Sequence, residues 1–184
     1  MKDNILFAKN FFKNPSRNAS LVPSSNTLSK KLINGIDFDN INYIMELGPG
    51  TGVITQEIIK NMKTDSKLIL VELENSYVDM LFNRYSSYSN IFVEKNTAEN
   101  MFDILSKYEF PKLDIIISSL PILPEKNRTK LVNNILKADS QWGSVYRTIT
   151  YMPFIFKKVY KNMGLELKER VISNFPPVWI RGKN

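Results

Sequence analysis

Residues 46–52, Glu-Leu-Gly-Pro-Gly-Thr-Gly, are the segment whose residue types bear most directly on chemistry. They follow an apolar stretch that predicts a strand, and the residues after them predict a helix. Glycines allow a sharp turn and let the backbone approach a ligand more closely than a side chain would permit. Twenty residues after Gly52, Glu72 ends the next apolar stretch, where its carboxylate can accept hydrogen bonds from both hydroxyls of a ribose. The combination predicts a nucleotide-binding site.

The composition excludes several other chemistries. The chain has 184 residues with neither cysteine nor histidine, so it lacks thiolate and imidazole ligands, disulfides and the commonest general base. A zinc hydrolase or a Ser-His-Asp mechanism is therefore not expected. The net charge of +7 suggests an anionic partner such as a membrane surface or a nucleic acid, although an AT-rich genome also raises the lysine content.

The glycine-rich turn and Glu72 resemble the first two motifs of class I S-adenosylmethionine-dependent methyltransferases. Pro49 in the turn and Glu46 before it favour this family over dinucleotide-dependent dehydrogenases, whose glycines are spaced differently. Further segments are similar to short bacterial phospholipid N-methyltransferases, which themselves resemble rRNA adenine dimethylases. These segments are residues 11–14 (FFKN), 22–25 (VPSS), 118–121 (SSLP) and 174–179 (NFPPVW). The resemblance therefore extends over nearly the whole chain.

The resemblance implies S-adenosylmethionine as the cofactor and no metal. It assigns cofactor contacts to Ser24, Ser25, Glu46, Gly48, Gly50, Thr51, Gly52, Glu72, Leu73, Asn96, Thr97 and Ser118. Asn96 stands where relatives usually carry an aspartate that accepts from the adenine amino group, and Lys95 replaces the preceding glycine. A neutral amide oxygen is a weaker acceptor, so we expect reduced cofactor affinity. The alternative is that Asn96 is a solvated loop residue.

The resemblance also implies the acceptor site, with Ser118, Ser119, Leu120 and Tyr151 as catalytic residues. Adenine N-methyltransferases typically have Asn-Leu-Pro followed by an aromatic ring that stacks on the base. Here a serine replaces the asparagine and Ile122 replaces the ring, which favours a small amine over a base. The alternative is that the two serines merely end a strand.

The amine must arrive unprotonated, and partial desolvation lowers the pKa of an ammonium group. Without histidine, the proton must pass to a carboxylate, a tyrosine or water. Tyr151 matches a family position near the active site, and both Tyr151 and Trp179 are candidates for cation–π contact with a methylated ammonium. For both, ordinary packing is the alternative interpretation.

Alternating elements must position these residues. The alternation of strands and helices predicts βαβ units and a mostly parallel α/β sheet. The resemblance implies the Rossmann-like class I methyltransferase fold, with a mostly parallel seven-stranded sheet, an antiparallel C-terminal strand and helices on both faces. The predicted strands are 43–47, 67–71, 91–94, 113–118, 144–150, 165–172 and 177–181. The predicted helices are 1–14, 26–33, 53–62, one through Tyr77 and Leu81, 125–138 and 153–162.

The N-terminal residues 1–14 bear on whether the partner is a membrane. Residues 1–14 predict an amphipathic helix with a wide apolar face and three lysines. Docking to anionic lipid and closing the cofactor site as a lid are both consistent with it. We therefore divide the chain into an N-terminal helical segment, 1–34, and a methyltransferase domain, 35–184. With no apolar run of roughly 18 residues and no secretory pattern, we expect a cytoplasmic protein associated peripherally with the inner face of the membrane.

The expected function is methylation of phosphatidylethanolamine towards phosphatidylcholine, with its methylated derivatives and anionic lipids as membrane partners. Two alternatives stay open at this stage. One is an RNA adenine or small-molecule amine methyltransferase, with RNA less favoured because Ile122 cannot stack on a base. The other is a non-catalytic protein that binds membrane or cofactor. The sequence does not indicate the oligomeric state.

Overall fold

The structure, a computed structural model, describes residues 26–174 and 176–183. In those ranges the strands are β1 (Tyr43–Leu47), β2 (Lys67–Glu72), β3 (Ile91–Lys95), β4 (Ile115–Ser118), β5 (Val145–Thr150), β6 (Glu166–Val171) and β7 (Val178–Lys183). The α-helices are α1 (Asn26–Ile33), α2 (Val53–Asn61), α3 (Asn75–Tyr85), α4 (Met101–Lys107), α5 (Glu125–Trp142) and α6 (Lys157–Asn162).

The strands form one sheet in the order β3-β2-β1-β4-β5-β7-β6. The first five in this order are parallel, and β7 pairs antiparallel with both β5 and β6. This is the predicted α/β architecture, a mostly parallel sheet with an antiparallel C-terminal strand. The central strands are almost wholly apolar because helices cover them on both faces.

Alternation along β1 divides the core into two layers. Ile44 packs in the layer that contains buried residues of α1, α2 and α3. Met45 and Leu47 pack in the opposite layer, which contains buried residues of α4 and α5. Since successive side chains of a strand point to opposite faces, Glu46 must face the first layer together with Ile44. Because of this orientation, the Glu46 side chain meets Thr55 of α2 and does not line the cavity.

Helix α1 packs into the core, although the sequence analysis assigned it to the N-terminal segment. Leu28 and Leu32 have no exposed surface and lie in the same apolar layer as Ile54 and Ile58 of α2. The boundary after residue 34 stays a prediction, as does the amphipathic helix at 1–14, which lies outside the described residues.

One missed helix and two predicted helix boundaries need correction. Helix α4 was not predicted, although Met101, Ile104 and Leu105 have helical spacing and are buried. Helix α5 continues to Trp142 rather than ending at 138, and it stops where Gly143 takes a left-handed conformation (φ 66°). Helix α6 begins at Lys157 rather than at 153.

The late start of α6 has a local cause. Residues 153–156 form turns. The Thr150 hydroxyl accepts a hydrogen bond from the Met152 backbone N–H at 3.1 Å, which directs the chain into these turns. No helix in the described ranges is both long enough and apolar enough to cross a bilayer.

Candidate active site

The site lies where the order of strands reverses. Strands β1 and β4 are neighbours at the centre of the sheet, and the chain leaves them to opposite sides. Ligands of open α/β sheets bind at such a point, beyond the carboxyl ends of the strands. A cavity of about 590 Å³ opens here, lined by the turn after β1, the end of β2 and the segment after β4. The two motifs identified in the sequence therefore meet in one cavity.

The glycine-rich turn brings its backbone against the segment after β4. Gly48 has a positive φ of 74°, and a Cβ atom there would lie 2.9 Å from Cδ2 of Leu120. At Gly50, which also has a positive φ, a Cβ would meet no atom of the described residues within 4 Å beyond its chain neighbours. The positive φ and the close approach to Leu120 thus favour glycine at position 48, whereas Gly50 leaves space beside the turn that a ligand can occupy.

Backbone N–H groups fix the Glu72 carboxylate in position. Its Oε2 accepts from the Gly50 N–H at 3.0 Å, and its Oε1 accepts from the N–H groups of Leu73 and Glu74 at 2.8 and 3.0 Å. Each carboxylate oxygen can accept about two hydrogen bonds, so Oε2 retains capacity for another donor. The orientation of the carboxylate is set before any ligand arrives.

Glu46 is buried beneath the turn, with no exposed surface and away from the cavity wall. Thr55 of α2 donates a hydrogen bond to its Oε2 at 2.6 Å, and its buried Oε1 has no hydrogen-bond partner among the described residues. Burial, reinforced by the negative charge of Glu72, raises the pKa of Glu46 from 4.5 to about 8 despite the bond from Thr55. Glu46 is therefore largely protonated at neutral pH. It lies beneath the turn, where it accepts the hydrogen bond from Thr55, and it does not line the cavity.

Asn96 lines the cavity after β3, but its side chain is already engaged. Its Oδ1 accepts from the Thr97 N–H at 2.8 Å and from the Asn100 side chain at 3.0 Å. An amide oxygen has two lone pairs, so an adenine amino group would have to replace one of these donors. Leu73 lines the same end of the cavity and is 62% exposed, which offers an apolar surface to a planar ring.

On the acceptor side, Ser119 joins the two motifs. Its hydroxyl donates to the Gly48 carbonyl at 2.6 Å, and its backbone N–H donates to the Leu47 carbonyl at 3.0 Å. Because the hydroxyl proton already bonds to the Gly48 carbonyl, the oxygen can only accept a hydrogen bond from a ligand. An amine N–H is a suitable donor. Ser118 is buried at the end of β4 and also lines the cavity.

Tyr151 lines the cavity beyond Ser119, where its side chain hydrogen-bonds with Asn174. Burial raises the pKa of its phenol above 10 despite this bond, so the group is neutral at physiological pH. Its catalytic role stays a prediction. Trp179 lies on β7 opposite Thr150 and does not line the cavity.

The cavity continues past the serines into an apolar half that the sequence analysis did not identify. Its walls come from α5, β5, α6 and the segments beside them: Leu131, Val132, Ile135, Tyr146, Phe156, Val159, Tyr160, Met163 and Leu165. Arg128 stands on this wall with its guanidinium 5.0 Å from the centre of the Phe156 ring. The helical spacing of Leu131 and Ile135 indicated burial, but nothing local indicated a cavity.

The structure therefore gathers most of the predicted site residues. The cavity is lined by Gly48, Gly50, Thr51, Glu72, Leu73, Asn96, Thr97, Ser118, Ser119, Leu120 and Tyr151. Glu46 and Gly52 do not reach its wall: the side chain of Glu46 points into the core, and Gly52 faces Leu81 and Arg84 of α3. Ser24 and Ser25 lie outside the described residues.

The residues present fit S-adenosylmethionine. Glu72 would hold the ribose hydroxyls, the open space at Gly50 would admit the ligand beside the turn, and Leu73 would cover the adenine. No cluster of acidic side chains within the described ranges could hold a metal ion.

Comparisons with known proteins agree with this geometry, although no protein-family model matches the chain. Ornithine lipid N-methyltransferase of Singulisphaera acidiphila is 29% identical over 163 residues, which are 88% of this chain and 84% of that protein. Ribosomal RNA small subunit methyltransferase A of Mycoplasma capricolum is 24% identical over 90 residues, 48% of this chain. The matched part is only 33% of the length of that rRNA enzyme.

Among solved structures, an S-adenosylmethionine-dependent methyltransferase from Aquifex aeolicus superimposes with a TM-score of 0.56 at 14% identity. The superposition covers 97% of this chain and 96% of that one, and it shows that the two chains share a fold. The fold is thus that of class I methyltransferases. With the site and the sequence relatives, it defines the chain as an S-adenosylmethionine-dependent methyltransferase that resembles lipid N-methyltransferases.

Proposed function

We propose that the chain methylates the amine of a lipid headgroup, with phosphatidylethanolamine converted stepwise towards phosphatidylcholine. The observation that carries this proposal is the continuity of the cavity. A polar half with Glu72 and the glycine turn leads past Ser119 into an apolar half between α5 and β5. The ornithine lipid N-methyltransferase relative, matched over most of both chains, supports a lipid amine as the acceptor class.

The chain's own residues supply position and environment. Bound S-adenosylmethionine would provide an electrophilic methyl group on its sulfonium. Ser119 presents an acceptor lone pair beside the turn, which can orient an amine N–H, while Leu120 and Ile122 exclude water. An apolar surrounding also lowers the pKa of an ammonium group and so favours the nucleophilic free amine.

A surface beside the cavity supports a membrane-borne acceptor. The turn after β5 exposes Phe154 and Ile155, which are 81% and 67% exposed, and the exposed Lys157 and Lys158 follow after Phe156. Met152 and Phe156 of the same segment line the cavity. Apolar tips next to lysines are the combination that binds an anionic lipid surface. We propose that this segment, 152–158, contacts the bilayer and brings the headgroup to the cavity.

RNA adenine methylation is the second candidate, favoured by the rRNA methyltransferase relatives and by the positive net charge. Against it, Ile122 lines the cavity where the related enzymes usually carry an aromatic ring. Stacking on such a ring contributes about 1–3 kcal/mol per base.

The test is one incubation of the chain with labelled S-adenosylmethionine and a panel of acceptors. The panel contains phosphatidylethanolamine vesicles, ornithine lipid vesicles, rRNA and small amines. We expect label in the lipids and little in RNA. Label only in RNA or in small amines would refute the lipid proposal, and cofactor binding with no transfer to any acceptor would indicate a non-catalytic protein.

A further inference from the structure

The cavity wall carries few charged side chains. The carboxylates of Glu72 and Glu74 lie in the cofactor half. Glu99 lies beside α5, where its carboxylate accepts a hydrogen bond from the side chain of Asn127, the residue before Arg128. Arg128 carries the only positive charge among the described residues that line the cavity. A single guanidinium on this wall needs a chemical explanation.

The contacts of Arg128 hold its guanidinium in place without neutralising it. One Nη1 donor binds the Leu123 carbonyl at 3.2 Å, and the group lies over the Phe156 ring. No carboxylate of a described residue pairs with it. Because a guanidinium has five N–H donors in a rigid fork, most of its capacity stays available to a ligand in the cavity.

We propose that Arg128 binds the anionic group of the acceptor and thereby selects zwitterionic headgroups whose amine and anion are a few bonds apart. This inference rests on the proposed function and adds a residue that determines specificity. A phosphate, as in phosphatidylethanolamine, and a carboxylate, as in an ornithine lipid, are the two sources of such an anion. A guanidinium binds both in a bidentate manner.

The distance along the chain is compatible with one headgroup. Leu123, which holds the guanidinium through its carbonyl, is two residues after Pro121 in the acceptor segment. Two residues span at most about 7 Å, so the guanidinium and the acceptor segment lie close enough to line the same small part of the cavity. An anion held at Arg128 would direct the attached amine towards Ser119 and exclude amines that lack the anion.

The test compares the wild-type chain with Arg128→Gln, Arg128→Lys and the control Arg170→Gln, which makes the same charge change on an exposed residue of β6. Three monomeric short-chain acceptors avoid effects of membrane binding: dihexanoylphosphatidylethanolamine, a short-chain ornithine lipid, and the aminoethyl ether of dihexanoylglycerol, which lacks the anion. Steady-state kinetics give kcat and KM for each acceptor, and calorimetry gives cofactor affinity.

We expect Arg128→Gln to raise KM for the two zwitterionic acceptors at least about tenfold, the effect of losing one charge-assisted hydrogen bond. KM of Arg128→Lys for these acceptors should fall in between, and KM for the ether without an anion and cofactor affinity should stay unchanged. A rise with only one zwitterionic acceptor would identify the phosphate or the carboxylate as the true source. Equal losses on acceptors with and without the anion, or kinetics matching Arg170→Gln, would overturn the assignment. If the wild-type chain methylates none of the three, the proposed function itself fails and this inference with it.

Discussion

At the scale of single residues, Glu46 makes the stability of the fold depend on pH. Its pKa is raised from 4.5 to about 8, chiefly by burial. Between these values the folded chain keeps a proton that the unfolded chain releases, so the free energy of unfolding falls as the pH rises. The slope contributed by one such group is at most about 1.4 kcal/mol per pH unit, and it vanishes below pH 4.5 and above pH 8.

Glu46→Gln isolates this contribution because an amide can still accept the bond from Thr55 and does not titrate. Urea unfolding of both proteins at pH 5, 6, 7 and 8 should show the wild-type chain losing stability relative to the variant as the pH rises. A difference that stays constant across this range would mean that Glu46 titrates normally in the folded chain.

Glu72 is the residue where loss of one side chain should most affect cofactor binding. Glu72→Ala removes the proposed acceptor for ribose hydroxyls and leaves the Gly50 N–H of the turn without its partner. A hydrogen bond to a charged group contributes about 1.5–3 kcal/mol, so calorimetry should show S-adenosylmethionine affinity reduced about 10- to 150-fold. Glu166→Ala, on an exposed side chain of β6, is the control. Unchanged affinity in a folded Glu72→Ala protein would remove Glu72 from the cofactor site.

The sequence predicted backbone features of this site better than side-chain contacts. Gly48 and Glu72 were identifiable because a turn and a strand end are local features with characteristic spacing. The burial of Glu46 was not, because it depends on which face of β1 meets α2. The engagement of Asn96 by Asn100 depends in the same way on how the chain turns after β3.

At the scale of elements, the segment 152–158 should carry membrane binding. In Phe154→Ser/Ile155→Ser the apolar tips are lost while the cavity-lining Met152 and Phe156 stay. Burying one large apolar side chain contributes about 1.5–3 kcal/mol, so sedimentation with anionic vesicles should weaken at least about tenfold. Phe82→Ser, on an exposed residue of α3, is the matched control. Binding equal to that of the control would exclude this segment from the membrane contact.

The same segment shows where prediction of elements failed. Pro153 followed by apolar residues resembles the first turn of a helix, yet the Thr150 hydroxyl holds Met152 in a turn and delays α6. Helix α4 was missed because its apolar residues form barely two turns. The strands, in contrast, were predicted to within two residues, since those of the parallel part, such as β2 and β4, are apolar runs bounded by polar residues.

At the scale of the whole molecule, the alternation of strands and helices predicted a mostly parallel α/β sheet, and the resemblance added its antiparallel C-terminal strand. Parallel strands joined by helices require a sheet covered on both faces, and the pattern of apolar runs supplied the strands in sequence. The apolar half of the cavity could not be predicted in this way. Its walls come from α5, β5 and α6, which are distant in sequence and meet only in the folded chain.

Residues 1–14 are a second candidate for the contact between the whole chain and a bilayer. Residues 1–14 combine apolar bulk with Lys2, Lys9 and Lys13, and each basic residue near an anionic surface contributes about 1 kcal/mol that salt screens. Thermal unfolding of the variant with residues 1–14 deleted is the control that its core is intact. If the segment docks, vesicle sedimentation should weaken, and raising the ionic strength should weaken binding of the intact chain in the same assay.

Activity measurements on the deletion variant distinguish a docking helix from a lid. A docking helix is needed only when the acceptor is in a bilayer, so activity on vesicles should fall much more than activity on lipid dispersed in detergent. Loss of a lid would reduce activity on vesicles and on detergent-dispersed lipid equally, because a lid excludes water from the cavity whatever the source of the acceptor. Equal losses would therefore assign residues 1–14 to closing the site. Undiminished vesicle binding after the deletion would leave the exposed apolar tips at Phe154 and Ile155 as the membrane contact.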